Sequence, residues 1–248
     1  MRKEDKLYNI QYKIEFSSPF IIASSVTDPG KYDMVSLLSD GVPYIPASSV
    51  RGRVKASIWQ HCYENKYWGS YDLCDAQSKG EGKYCQPDYG KDNFSLCPLC
   101  RIFGIPGGEI KRSFDFSGAY VTKPYDQIFK NLFESTGDIY TRRARNSIDP
   151  LLRRAREDAL FSSGLIDMPV GLVGNILEMP DHKRYSDDIR YFDYSLALLC
   201  LRLITEIGGN RNRGLGQCRV IPENGWKSHI NKHIADWKNA IRQAERVL

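Results

Sequence analysis

From Leu7 to Phe16 the chain sets Leu7, Ile10, Tyr12, Ile14 and Phe16 among polar and charged neighbours. An apolar period near two puts one face of a strand on a core and leaves the other in water, so the chain must supply a sheet and a layer to cover it. The cover is legible further on. Pro46-Ala47-Ser48-Ser49 offers a helix start, and Val50, Val54, Ile58 and Cys62 at four-residue spacing predict a helix to about Tyr63. Gly118 to Thr122, Val170 to Glu178 and Gln217 to Ile221 read as strands, and Ile189 to Ile207 as a long apolar helix. Ser17 to Pro43 reads as loop and short strand, with turns at Asp28-Pro29-Gly30 and Asp40-Gly41. Tyr140 to Ser163 reads as part extended and part helical, and Trp226, Ile230, Ile234, Trp237 and Ile241 predict a terminal packing helix. The order strand, helix, strands, helix, strand predicts an α+β fold, an elaborated ferredoxin-like (RRM-like) sandwich forming one domain over residues 1–248.

With 42% hydrophobic and 26% charged residues, the chain has ordinary globular composition, which excludes wholesale disorder. Its longest near-apolar stretch, Ser195 to Ile204, includes Arg202 and is too short to span a bilayer. No apolar leader is recognisable after Met1, so the expected location is the cytoplasm. The net charge is only +5, but its distribution is uneven. Thr141 to Arg156 holds six arginines against the single Asp149; Ser48 to His61 adds Arg51, Arg53 and Lys55, and Gly208 to Arg219 adds Arg211, Arg213 and Arg219, both without an acid. A basic excess concentrated in three short segments of an otherwise acidic chain suggests one polyanion-binding face assembled from distant pieces.

Seven cysteines in a cytoplasmic chain point away from disulfides and toward metal. Cys97-Pro98-Leu99-Cys100 is a C-x2-C knuckle, whose two thiolates can occupy half of a tetrahedral zinc site. Cys74 and Cys85 flank a Gly/Lys/Ser-rich loop that needs pinning, so the expected ligands of a structural Zn2+ are Cys74, Cys85, Cys97 and Cys100, with His61 or Cys62 as substitutes. Four thiolates leave no open position for catalysis. Cys200 reads as core, and Cys218 as part of an alternating strand.

Two segments suit phosphate. Gly41 to Arg53 runs a stiff extended stretch into a helix start, where Ser48 and Ser49 sit beside Arg51, Arg53 and Lys55. Gly208-Gly209-Asn210-Arg211-Asn212-Arg213-Gly214-Leu215-Gly216 joins glycines to two arginines, so backbone can approach a phosphate chain while guanidiniums fork onto it. It lacks the Gly-Lys-Ser/Thr of a Walker loop and follows a helix, unlike a dinucleotide fingerprint. Taken alone, it also reads as a turn with a helix cap at Gly208 or Gly209.

At these residues the sequence resembles the CRISPR-associated RAMP superfamily, specifically the backbone subunits of type III and related effector complexes. Pro43-Tyr44-Ile45-Pro46-Ala47-Ser48-Ser49-Val50-Arg51-Gly52 is similar to the family's P-Y-I-P-G-S-S-L-R-G segment, with Ala47 replacing the usual glycine. Cys97 to Gly104 resembles its cysteine pair and L-F-G element, Asn146 to Phe161 its protruding thumb hairpin, and Gly208 to Gly216 its glycine-rich loop. The resemblance implies a thumb within residues 138–168 and a zinc-binding insertion within 64–100. It further implies a ribonucleoprotein of antiviral defence in which copies of the subunit form a filament on a guide RNA, beside other CRISPR effector subunits. Complementary target RNA pairs with the guide, and the thumb inserts between the two strands. Arg142, Arg143, Arg145 and Ile148 belong to that thumb.

By the same resemblance Asp33 matches an aspartate that supports metal-dependent cleavage of the target, where a carboxylate could hold Mg2+ or another divalent ion at the phosphodiester. Asp28 and Asp40 read as turn residues. Whether the subunit is an endonuclease or a scaffold served by a separate nuclease stays open at this point. A guide-processing endoribonuclease of the same superfamily is the alternative; it calls for a histidine near the phosphate, and His61, His182, His229 and His233 all lie outside the phosphate segments. A zinc-ribbon DNA-binding module is disfavoured, because Cys74 to Cys100 is not basic and carries no recognition helix.

Overall fold

The computed structural model describes residues 8–22, 31–64, 85, 96–107 and 110–222. Cys74, Asp28, His229, His233 and the expected terminal helix lie outside these residues. The strand that opens the sequence forms as β1 (Asn9–Phe16), with Ile10, Tyr12, Ile14 and Phe16 buried. It pairs antiparallel on one side with β10 (Cys218–Pro222) and on the other with β9 (Gly171–Glu178). Beyond β9 lie β5 (Phe114–Phe116) and β6 (Ala119–Val121), then β4 (Val42–Ile45) and β3 (Leu38–Ser39). The inner order β10-β1-β9-β6, all antiparallel, agrees with a ferredoxin-like arrangement.

One face of this sheet is covered by α1 (Ala47–Glu64) and α4 (Asp187–Arg202), which bury Val50, Val54 and Ile58 from the first helix and Leu196 to Leu201 from the second. Tyr12 lies opposite Gly174 across the β1–β9 pair, and a Cβ at Gly174 would collide with its ring. The opposite sheet face exposes Tyr120 and Leu177. The turn expected at Asp40-Gly41 forms as a two-residue hairpin loop, with φ of 50° and 76° at these residues.

Two expectations need correction. The apolar helix ends at Arg202 rather than Ile207, because Thr205 and Ile207 leave it to bond with Cys218 and Gly216 at the start of β10. Tyr140 to Ser163 contains no helix. It is a long hairpin of β7 (Thr141–Asp149) and β8 (Arg154–Leu165), whose reversal at 150–153 includes Arg153 at φ 51°. With β2 (Met34–Val35) parallel to β8, the hairpin makes a separate three-stranded sheet. Two helices were not anticipated: α2 (Pro98–Phe103) at the cysteine knuckle and α3 (Tyr125–Thr136), which Gly137 terminates in the left-handed region.

Candidate nucleic-acid interface

The glycine-rich loop is held down by its own glycines. Gly208, Gly214 and Gly216 have φ of 110°, 77° and 73°, and a Cβ at Gly208 would come within 2.6 Å of the Ile21 carbonyl. The Gly209 N–H donates to Ile21 (2.8 Å), and the Gly216 N–H to Pro19 (2.9 Å). These two amides are thus engaged within the fold, and the outward positions are Asn212, Arg213 and Gly214. A single 3₁₀ turn, Arg211–Arg213, carries both arginines.

All three basic segments converge on this turn. Glu206 Oε1 lies 3.2 Å from Arg211 Nη1 and 3.9 Å from Arg53 Nη2, tying α1 to the loop. Arg145 Nη1 donates to Asn210 Oδ1 (3.0 Å) and Nη2 to Ser163 Oγ (2.9 Å), tying the hairpin to it. Burial, then the nearby Arg211 charge, lowers the pKa of Arg53; burial, then Arg213 and Arg143, lowers that of Arg145. Guanidiniums so placed stay charged at neutral pH, and their repulsion is relieved by an arriving polyanion.

Around this cluster, Ser48 and Arg51 are exposed at the start of α1, while Ser49 and Lys55 are half-buried. Arg51 also donates to the Phe103 carbonyl (3.0 Å). Arg142 and Arg143 are exposed on β7. At the far end of the hairpin Ile148, Leu151 and Leu152 are 66%, 91% and 60% exposed, so they do not pack on the chain's own sheet. Asp33 sits at the hairpin's base, where Oδ2 accepts from the Ser162 N–H (2.6 Å) and hydroxyl (3.3 Å). In return, the Asp33 N–H donates to the Ser162 carbonyl (2.9 Å).

Behind the interface lies a second constellation. The sulfurs of Cys85, Cys97 and Cys100 lie within 4.8 Å of one another, and the Cys97 N–H donates to Cys85 Sγ (3.3 Å). Zinc–sulfur bonds of about 2.3 Å put the sulfurs of a tetrahedral site about 3.8 Å apart, so this triad fits a metal held by thiolates. Hydrogen bonding among the three, then burial, raises the Cys100 pKa, a trend a bound cation reverses. Of the expected substitutes, His61 lies in the last turn of α1.

The residue after Cys100 enters a buried ionic chain that sequence reasoning missed. Arg101 grips Asp193 with two bonds, Nε to Oδ2 (2.9 Å) and Nη2 to Oδ1 (2.6 Å). His182 bridges Asp193 Oδ2 (3.3 Å) to Glu178 Oε1 (2.7 Å), and Arg190 closes on both oxygens of Glu178 (2.8 and 3.0 Å). All five side chains are buried, His182 completely, although the sequence places it in a charged loop. Burial opposes the charges of Arg101, Glu178, His182 and Arg190, but the pairings prevail: Glu178 is held down at about 2 and the His182 pKa is raised. The only sequence signals are the Glu178/His182 spacing and an acid, Asp193, amid apolar α4.

No helix among the described residues is long and apolar enough to cross a membrane. Among curated proteins, none matches the chain. The family model described as RAMP superfamily matches residues 13–219, a span that runs from β1 to β10 and contains the hairpin, the cysteine triad and all three basic segments. The chain therefore belongs to the RAMP superfamily, whose members are CRISPR-associated RNA-binding subunits.

Proposed function

We propose that this chain is a guide-RNA-binding backbone subunit of a type III or type III-derived CRISPR effector that recognises complementary target RNA. The observation that carries the reading is the meeting of Arg53, Arg145, Arg211 and Arg213 from three distant segments around Glu206 and Asn210. Guanidiniums grip a strand through phosphates without reading bases, as a subunit repeated along a guide must. The hairpin is the thumb, its exposed Ile148, Leu151 and Leu152 serving as wedges between guide and target. A structural Zn2+ on Cys74, Cys85, Cys97 and Cys100 staples the insertion, and the partners are further copies of the chain and other effector subunits.

Target cleavage by this subunit would run through Asp33, exposed at the thumb's base, with Mg2+ or another divalent ion neutralising charge at the phosphodiester. Its bonds to Ser162 fit a register role equally well, which makes cleavage by a separate nuclease the competing arrangement. A guide-processing endoribonuclease has less support: both nitrogens of His182 face buried carboxylates, away from the cationic cluster.

Copurification with RNA and mutation of the cluster test the reading. Arg211→Ala together with Arg213→Ala should weaken RNA binding at least about tenfold, alike for unrelated sequences. Unchanged affinity in filter binding or fluorescence anisotropy would remove the cluster from the interface.

A further inference from the structure

A pocket of about 560 Å3 opens between α2 and the 3₁₀ turn after β9. Its lining holds none of the clustered arginines, but it includes Arg51, two residues before Arg53 on α1. Phe103, Ile105 and Met179 give it an apolar lining; among the described residues, Arg51, Lys111 and Arg112 give it three cations against one acid, Asp181. We infer that this pocket binds one nucleotide, with the phosphate on Arg51 and Arg112 and the base against Ile105. The inference rests on the RNA-binding reading only for the source of that nucleotide.

The wall is built rather than incidental. Gly104 turns at φ 75°, where a Cβ would come within 2.8 Å of the Arg112 amide nitrogen, so no side chain intrudes. The Ile105 N–H donates to the Ile110 carbonyl (3.1 Å), joining the two sides of the loop, and the Ser113 N–H donates to the Arg101 carbonyl (3.1 Å), fixing the returning side to α2. Arg51 is positioned by its bond to the Phe103 carbonyl (3.0 Å), its guanidinium 5.9 Å from the Phe103 ring centre. That single bond leaves most of a five-donor fork for a ligand. Arg112 lies 2.8 Å from Asp115 and Lys111 3.7 Å from Asp181, both at exposed positions where an incoming phosphate competes readily.

The ligand class follows from size and polarity. Small-molecule sites run to roughly 300–1,000 Å3 and combine apolar walls with a few placed polar groups, which this pocket does. Phosphate alone would satisfy the cations and leave the apolar wall wet. An acidic peptide would meet Asp181, whereas a base edge offers N–H donors to that carboxylate.

The experiment uses the RNA-free full chain, titrated calorimetrically with each of the four nucleoside 5′-monophosphates and, separately, with inorganic phosphate. At least one monophosphate should bind about tenfold more tightly than phosphate, since the base adds apolar burial to the same charge contacts. Arg112→Ala, at an exposed position, should weaken that binding about tenfold, and Ile105→Trp should block it by filling the space, with circular dichroism unchanged. A 4-thiouridine oligoribonucleotide distinguishes the sources. Photocrosslinking to the peptide bearing Ile105 assigns the pocket to a nucleotide of the strand, and monophosphate binding without that adduct assigns it to a free nucleotide. Equal affinity for phosphate and every monophosphate, or nucleotide binding indifferent to both substitutions, would overturn the inference. Failure of Arg211→Ala and Arg213→Ala to affect RNA binding would instead sink the strand-gripping interface and leave the pocket result standing.

Discussion

Asp193 is wholly buried and accepts from both Arg101 and His182, so its loss strands two buried cationic groups. Removing one partner of a buried ionic pair typically costs about 3–5 kcal/mol, and Asp193→Ala should destabilise by about that amount in urea unfolding. The same chain sets a pH window. Glu178, held at about 2 against an ordinary 4.5, contributes stability that is present above 4.5 and lost as pH falls toward 2. His182, raised above its ordinary 6.5, contributes stability that is complete below 6.5 and lost as pH rises through its folded value. Unfolding free energy should therefore plateau between these limits, and His182→Gln should remove the alkaline decline; a decline of unchanged size in that variant would refute the assignment. At this scale the sequence is a poor guide to burial. Arg101, His182 and Arg190 carry the polarity of surface residues, and only three-dimensional pairing makes their burial tolerable.

The hairpin shows what an element conceals. Leu151, Leu152, Arg153, Arg154, Ala155 and Arg156 all favour helix intrinsically, yet Asp149-Pro150 starts a reversal and cross-strand bonding extends β8 back to Arg154. Tertiary pairing overrides local propensity here, which is why the extended half was legible and the rest was not. The exposed apolar residues near the tip follow a different rule, since no part of the described fold covers them. Leu151→Asp with Leu152→Asp should leave the melting temperature within a few degrees, because surface substitutions usually change stability by less than about 0.5 kcal/mol. The same pair should abolish the regular spacing of target contacts in nuclease footprints of the assembled complex. A large fall in melting temperature would mean that the wedge residues serve the fold instead. Helix α3 was missed although its signal was present: Tyr125, Ile128, Phe129, Leu132 and Phe133 recur at helical spacing, and Gly137 marks its end.

At the scale of the whole molecule, the convergence of three basic segments was legible as a charge pattern, while their meeting point was not. That point depends on Ile21 and Glu206, which carry no motif, and on a bond from Arg145 to Asn210 that the glycine-rich motif does not announce. The cysteines repeat the lesson: spacing marks the Cys97/Cys100 knuckle, but its tether to the core through Arg101 and Asp193 emerges only in the fold. Because Arg51 bonds the Phe103 carbonyl at the end of α2, a metal held at the knuckle would support the proposed interface at a distance. Cys97→Ser with Cys100→Ser should accordingly abolish stoichiometric zinc in metal analysis and increase protease sensitivity at the knuckle. RNA binding by any soluble double variant should weaken while remaining sequence-independent, since the arginines around Glu206 and Asn210 are retained. For the intact chain, the logarithm of affinity should fall linearly with the logarithm of salt, with a slope near −0.7 for each single-strand phosphate neutralised. If Arg53, Arg145, Arg211 and Arg213 each neutralise one, replacing all four with alanine should flatten that slope by about 3, whereas an unchanged slope would place the phosphate contacts elsewhere on the molecule.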